Sequence, residues 1–396
     1  MESLKMCSLP TNRARRMLTA SNDGVLPLDA LFDILLRLPA KELCRLRAVC
    51  RTWRALTYDP FFIQAHTTHH QGPLLLAKFE DDEAHINIMD LSGNLVKRID
   101  NPDGHQLLCT QLDLACVATE SNRCRVLNPA TGAVYVLPES PAAEHLNRKH
   151  VRDPYTLFAF GRVASTGEYK VFRMFNRPDY DGFQQRQLCE VFTINGGTSC
   201  TRWRARQSRD IFVEVNSAVV VDGVVHFLMD DVYDHLRLSN VHFGVDPDCV
   251  ASFDLGTEEW RRDIQGPISS SFDMDNDDYM EYLSIWHRLT LAELKCSLVL
   301  VYYRPDQFIM DLWFLTDLDN GLWEKRYSIQ TEPTIPDPAN GYRVKPLLVL
   351  DDGRLVIFLA PTGLLLICDP VADTFAEVEM RHLDSVGVYT GSLLSL

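Results

Sequence analysis

Six turns of one kind punctuate this chain from residue 70 onward, and their spacing leaves few folds open. In five of them a strand-like run ends in Asp or Asn and a large apolar residue follows six positions later: Asp90 to Val96, Asn128 to Val134, Asp254 to Trp260, Asp317 to Trp323 and Asp369 to Phe375. The sixth, Asn195 to Trp203, holds two extra residues in a glycine-containing turn. Successive copies lie 38, 67, 59, 63 and 52 residues apart, which suits four-stranded blades of about 40–50 residues with loop insertions. The turn residues agree. Asn128-Pro129-Ala130-Thr131-Gly132 puts proline where φ is fixed and glycine where φ can be positive. Asp222-Gly223 and Asp352-Gly353, each between apolar runs, read as hairpin turns. The runs themselves, such as Leu74 to Phe79, Glu168 to Phe175 and Ser297 to Tyr303, are rich in Val, Leu, Phe and Tyr, and only Asp278 to Leu294 reads as a longer helix. The pattern predicts an all-β propeller of about six blades. Val388 to Leu394 has no partner strand nearby in sequence, so it is expected to complete the blade beginning near Leu74, which would close the ring and remove its free edges.

Ahead of this region the period is helical. Leu28, Leu31, Phe32 and Leu35 form one apolar stripe, and Ile34, Leu36 and Leu38 form a second beside it. Pro39 ends this helix and suits the first turn of the next. Leu43 and Leu46 give that short helix an apolar edge, and Val49, Trp53 and Leu56 continue at helical spacing into a third. A segment of roughly 40 residues is at the limit of independent folding without disulfides or metal. Apolar residues on two faces therefore mean that one face meets another surface.

Charge is divided unevenly. The chain of 396 residues has a net charge of −15, with +2 on residues 1–25 and +2 on residues 26–66, so the remainder holds −19. Such a domain disfavours nonspecific nucleic-acid binding, which depends on Lys and Arg neutralising phosphates, and weakly favours basic partners. Eleven cysteines, an odd number without a CxxC pair, argue against a disulfide framework or a structural zinc site and for thiols in a reducing compartment. Met1 to Gly24 lacks the apolar run of a signal peptide, and Arg13, Arg15 and Arg16 read as a solvated end ahead of a nuclear address. The apolar run Leu355 to Ala360 falls far short of the ~20 residues a membrane helix needs.

Catalytic motifs are not found. GxxxxGK[ST], HExxH and GxSxG do not occur, and no cofactor or metal is expected. Thr166-Gly167-Glu168 and Asn195-Gly196-Gly197 read as structural turns without the helix N-terminus a phosphate cradle needs. His66, His69 and His70 read as a linker rather than metal ligands, having no carboxylate or thiol at matching spacing. Trp203, Trp260 and Trp323, which share one repeat position, read as packing between blades. The acidic run Asp273 to Glu281 lacks the glycine and closing Glu of a calcium loop and reads as solvated.

LPxDxLxxILxRLP from Leu26 to Pro39 and VCRxWRxLxxDPxF from Val49 to Phe62 closely resemble the F-box. Farther on, Asn128 to Pro138, Gly167 to Val171, Asp222 to His226, Ser252 to Trp260, Asp311 to Trp313 and Gly391 to Leu394 resemble, in this order, the motifs of the plant F-box-associated β-propeller domain. One departure is Lys295-Cys296-Ser297, where that pattern has a turn glycine, which leaves the first hairpin of the fifth blade in question. The resulting expectation is an α+β multidomain chain: a flexible arm at 1–24, a three-helix F-box at 25–68 and an all-β propeller at 70–396. The resemblance implies a non-catalytic substrate-recognition subunit of a Skp-cullin-F-box E3 ubiquitin ligase, cytoplasmic and/or nuclear. Its F-box would dock on a Skp-type adaptor, and through it on a cullin-RING core, while the propeller holds a target protein. No nucleic acid or membrane partner is implied. The adaptor contacts carried over are Leu26, Pro27, Ile34, Leu35, Leu38, Pro39, Leu43, Val49, Cys50 and Trp53. Two other roles remain open: an adaptor-binding protein that delivers no target, and a propeller lectin or enzyme.

Overall fold

Strands here are apolar on both faces, and that dictates how they stack. Leu75, Ala77 and Phe79 pack with Val356, Phe358 and Leu365, while Leu76, between them in sequence, packs with Ala115, Val117 and Leu127. Because successive side chains point to opposite faces, a strand with near-continuous burial must lie between two other sheets. The computed structural model describes residues 27–38, 40–69, 72–100, 106–111, 114–119, 123–146, 157–175, 188–194, 202–207, 209, 211–233, 245–271, 279–331, 335 and 343–390. It divides into two units, 1–71 and 72–396.

The first unit is helical. α1 spans Leu28–Leu36, α2 Ala40–Leu46, α3 Arg51–Thr57 and α4 Pro60–His69. The first three follow the expected periodicity, and the closing DPFF run forms the fourth. Its start has a clear cause: one carboxylate oxygen of Asp59 accepts the N–H groups of Phe61 and Phe62 at 2.8 and 3.3 Å, satisfying donors that the first turn leaves unpaired.

The second unit is six antiparallel sheets of four strands. Blade 1 joins β1 (Leu74–Phe79), β2 (His85–Met89) and β3 (Leu95–Asp100) to the last strand, β24 (Leu383–Tyr389). Blade 2 is β4 (Gln106–Gln111), β5 (Leu114–Ala118), β6 (Cys124–Leu127) and β7 (Val134–Val136). Blade 3 is β8 (Leu157–Arg162), β9 (Tyr169–Phe175), β10 (Leu188–Ile194) and β11 (Arg204–Arg206). Blade 4 is β12 (Val219–Val221), β13 (Val224–Leu228), β14 (Val250–Asp254) and β15 (Glu259–Trp260). The helix α5 (Tyr279–Arg288) leads into blade 5: β16 (Leu289–Leu294), β17 (Ser297–Arg304), β18 (Ile309–Asp317) and β19 (Leu322–Gln330). Blade 6 is β20 (Arg343–Val349), β21 (Leu355–Ala360), β22 (Leu364–Asp369) and β23 (Thr374–Glu377).

The ring closes as expected. β24 pairs antiparallel with β1, Leu75 opposite Val388, so the far end of the sequence supplies the inner strand of the first blade. The strand begins earlier than the sequence suggests, at Leu383, and the end of the predicted closing run, 391–394, lies outside the described residues. Inner strands β24, β4, β8, β12, β16 and β20 touch one another in that order and back to β24. Six apolar clusters fill the six interfaces between neighbouring blades.

Every repeat turn lies between the third and fourth strands of a blade, and its first residue explains the repeat. Oδ1 of Asp90 accepts the N–H groups of Ser92 and Asn94. Oδ1 of Asn128, Asp254, Asp317 and Asp369 likewise accepts the N–H groups two and three residues on. Asp and Asn recur because each holds its own turn. Asn195, in the longer sixth copy, lies outside the described residues.

Candidate functional site

Within the helical unit the apolar residues separate into an interior and a surface. Leu31 and Leu35 of α1, Leu43 of α2, Leu56 of α3 and Phe62 of α4 are buried. Phe32 meets Phe62 edge-on, 5.0 Å between ring centroids, and Phe61 at 6.0 Å. His66, expected in a linker, is instead a buried residue of α4, stacked on Phe62 with Nε2 2.8 Å from the carbonyl oxygen of Leu38. The three-to-four-residue spacing from Phe62 could have placed it on the helix. Arg47 donates from Nη2 to the carbonyl of Thr57 at 3.0 Å and lies over the ring of Tyr58 at 4.0 Å, pinning the loop after α2 against the end of α3.

The residues expected to meet an adaptor divide accordingly. Leu35 and Leu43 are fully buried and belong to the unit's own interior, which removes their side chains from its surface. Ile34 is 45% exposed and Val49 60% exposed. Pro27 and Cys50 are exposed, Leu38 and Trp53 are half-buried, and Leu26 and Pro39 lie outside the described residues. Cys50 also has a local role, its Sγ accepting the N–H of Trp53 at 3.5 Å to cap α3. Sequence reasoning missed Phe61, at 63% the most exposed large apolar side chain among the described residues of the unit. Its signal was present: of two adjacent phenylalanines on one helix, only one can face inward.

On the propeller the two rims differ. One rim carries the turns between first and second and between third and fourth strands, with tight connections such as 222–223, 295–296 and 318–321. At the opposite rim the strand ends are joined by the longer intervals 137–156, 176–187, 229–249, 261–288 and 331–342, parts of which lie outside the described residues. Between blades the joints are polar as well as apolar. Trp203, Trp260 and Trp323 each donate the indole N–H to a carbonyl just beyond the outer strand of the preceding blade: Pro138 at 2.6 Å, Gln207 at 3.1 Å and Gln265 at 2.9 Å. Their expected packing role is therefore borne out, with a hydrogen bond added. Glu258, in the turn between β14 and β15, binds Lys170 at 2.8 Å together with Arg204 and Arg206 of blade 3. Burial opposes its ionisation, but the hydrogen bonds from Arg204, Lys170 and Arg206 prevail and bring its pKa down to about 2. In blade 3, buried Arg173 and Glu190 face each other across β9 and β10 at 2.7 Å; Glu190 also accepts from the Ala142 N–H and lies 2.8 Å from His145 Nδ1.

The acidic run of the sequence lies outside the described residues through 278, and its last three residues begin α5. No helix among the described residues is long and apolar enough to cross a membrane.

Family comparison fits both units. Residues 24–66 match an F-box-like model, and residues 89–388 match the F-box associated beta propeller domain. This chain belongs to the F-box-associated β-propeller family. The protein is similar to F-box protein At3g22700 of Arabidopsis thaliana, 26% identical over 60% of this chain and 68% of that one. F-box protein At3g07870 of the same plant is 24% identical over 87% of both chains, and F-box/kelch-repeat protein At4g19930 is 23% identical over 79% of this chain and 72% of that one. In F-box terms, the exposed large apolar side chains among the described residues of the helical unit are Ile34, Val49, Tyr58 and Phe61, and its buried apolar residues are Leu31, Leu35, Leu43, Leu56 and Phe62.

Proposed function

We propose that this F-box protein is the substrate-recognition subunit of a Skp-cullin-F-box ubiquitin ligase, its helical unit docking on a Skp-type adaptor and its propeller holding a target protein. The observation that carries this reading is the exposure of Ile34, Val49 and Phe61 on a helical unit whose interior is already filled. Such side chains have no internal place to go, and an apolar anchor buried at an interface is typically worth ~2 kcal/mol or more. Leu35 and Leu43 support the docking face from behind. Among the propeller's rims, the one with the long connections suits target recognition, since variable loops on a rigid scaffold are where binding residues concentrate. The chain's contribution is proximity: it places target lysines near a conjugating enzyme brought by the rest of the complex and supplies no nucleophile itself.

The test is Ile34→Asp combined with Val49→Asp in the full chain. Both sites are exposed, so thermal unfolding should stay within a few degrees of wild type while co-purification with a Skp-type adaptor is lost. Undiminished adaptor binding by this variant would overturn the assignment.

A further inference from the structure

Of the six outer strands that rim the propeller, β7 is the one that bears no charge. β3 carries Lys97, Arg98 and Asp100; β11 carries Arg204 and Arg206; β15 has Glu259; β19 has Glu324, Lys325 and Arg326; β23 has Glu377. Charges along an open strand are a common means of keeping it from pairing with other chains. β7 reads Val134-Tyr135-Val136, and all three side chains are exposed, Val136 by 61%.

Among the described residues its backbone is open at the same place. The N–H of Leu137 donates to the carbonyl of Cys124 and that of Asn128 to the carbonyl of Ala133; these bonds flank the register Arg125↔Val136, Val126↔Tyr135 and Leu127↔Val134. Hydrogen bonding alternates along an antiparallel pair. Tyr135 therefore directs its N–H and C=O toward β6, and Val134 and Val136 direct theirs away from it.

We propose that β7 of one molecule pairs antiparallel with β7 of a second copy across a two-fold axis through Tyr135. The strand is its own complement in that register. Val134 faces Val136 of the second copy and Val136 faces Val134, so the outward N–H and C=O groups meet in two doubly bonded pairs. Tyr135 meets its own counterpart at the non-hydrogen-bonded position, where side chains approach most closely and Cα atoms lie about 4.5 Å apart. Beyond the strand, Ala133 falls opposite Leu137, Gly132 opposite Pro138 and Thr131 opposite Glu139, so no like charges are brought together. An isologous contact of this kind uses one patch twice and closes on itself. The two second blades become one continuous eight-stranded sheet. A strand donated by a target could use the same edge but would not call for a sequence symmetric about Tyr135.

Sedimentation of the full chain over a concentration series should show a monomer–dimer equilibrium. Tyr135→Lys should raise its midpoint by roughly tenfold or more, because like charges would stand directly opposite and an aromatic pair would be lost. Val371→Lys, the same charge at a 93% exposed valine of blade 6, should leave it unchanged. Tyr135→Cys should form a disulfide-linked dimer under mild oxidation, with mass spectrometry finding position 135 joined to itself, and Val371→Cys should not. A chain that stays monomeric throughout, with position 135 crosslinking no faster than position 371, overturns the proposal. So does a monomer in which Tyr135→Lys abolishes capture of a target protein, which would give the edge to the target.

Discussion

Glu258 shows how much a single side chain can be made to hold. It has φ +59°, in the left-handed region, at the turn position where Asn128 and Asp317 are followed by Gly132 and Gly321. Putting a β-carbon there costs roughly 1–2 kcal/mol, and the side chain offsets this by uniting Lys170, Arg204 and Arg206 across the junction of blades 3 and 4. Lys170 is buried, with Leu255 as its other acceptor. Glu258→Ala should therefore destabilise by ~3–5 kcal/mol, the cost of leaving a buried charge unpaired. Glu258→Gly loses the same charge but relieves the backbone, and should recover ~1 kcal/mol of that loss. Urea unfolding of the two variants separates these contributions; equal losses would show that the backbone carries no strain. Neither the strain nor the three cations could be read from sequence. The repeat identifies residue 258 only as a turn position, and its partners come from strands far away in the chain.

At the scale of elements, the hairpin between β16 and β17 resolves the departure at Lys295-Cys296. The strands pair from Leu289↔Tyr302 to Leu294↔Ser297, so the hairpin forms without glycine. Lys295 and Cys296 both take positive φ, 51° and 60°, the geometry of a type I′ turn, and the Cys296 N–H donates to Glu293 Oε1 at 2.8 Å. Strand pairing and the packing of Leu291 and Leu298 against blade 4 override the local preference. Replacing the pair with Asn-Gly should stabilise the protein by about 1–2 kcal/mol, read as a rise in the thermal midpoint; a fall would mean that Glu293's hydrogen bond or the Cys296 side chain matters more than the turn. The same contrast governs legibility elsewhere. Asx-held turns could be read because each is a local device complete within a few residues. In α1, the two stripes correctly implied an inner and an outer face, but Ile34 and Leu35 could not be told apart as contacts, since which stripe faces inward depends on Leu43, Leu56 and Phe62 from other helices.

For the whole molecule, buried titratable groups tie stability to pH. His226 on β13 is 2% exposed, with Nδ1 2.9 Å from Ser252 Oγ; burial and the nearby charge of Arg261 lower its pKa to about 4. Unfolded, it would titrate near 6.5, so between pH 6.5 and 4 the unfolded chain binds a proton that the native protein does not. Its contribution to stability is present above pH 6.5 and is lost as the pH falls through 4. Asp230 acts oppositely: burial, with the charges of Asp231 and Glu214, raises its pKa to about 6, so the native state holds its proton more tightly from pH 6 down to 3.8. Total stability therefore hides both effects, and a variant is needed to expose one. The stability difference between wild type and His226→Gln should change in favour of the variant by on the order of 3 kcal/mol from pH 7 to pH 4. A difference independent of pH would show that His226 keeps its ordinary pKa.

The pairing of β24 with β1 also sets an order of events at the ribosome. The first three strands of blade 1 leave the exit tunnel before any other sheet, yet its innermost strand is made only after the other five blades. Until residues 383–389 emerge, β1 presents an open edge and the apolar side chains of Leu75, Ala77 and Phe79 lack the blade 6 surface that covers them. A growing chain must keep that blade soluble through the synthesis of all the others, which makes the interval before ring closure the period when chaperone binding matters most.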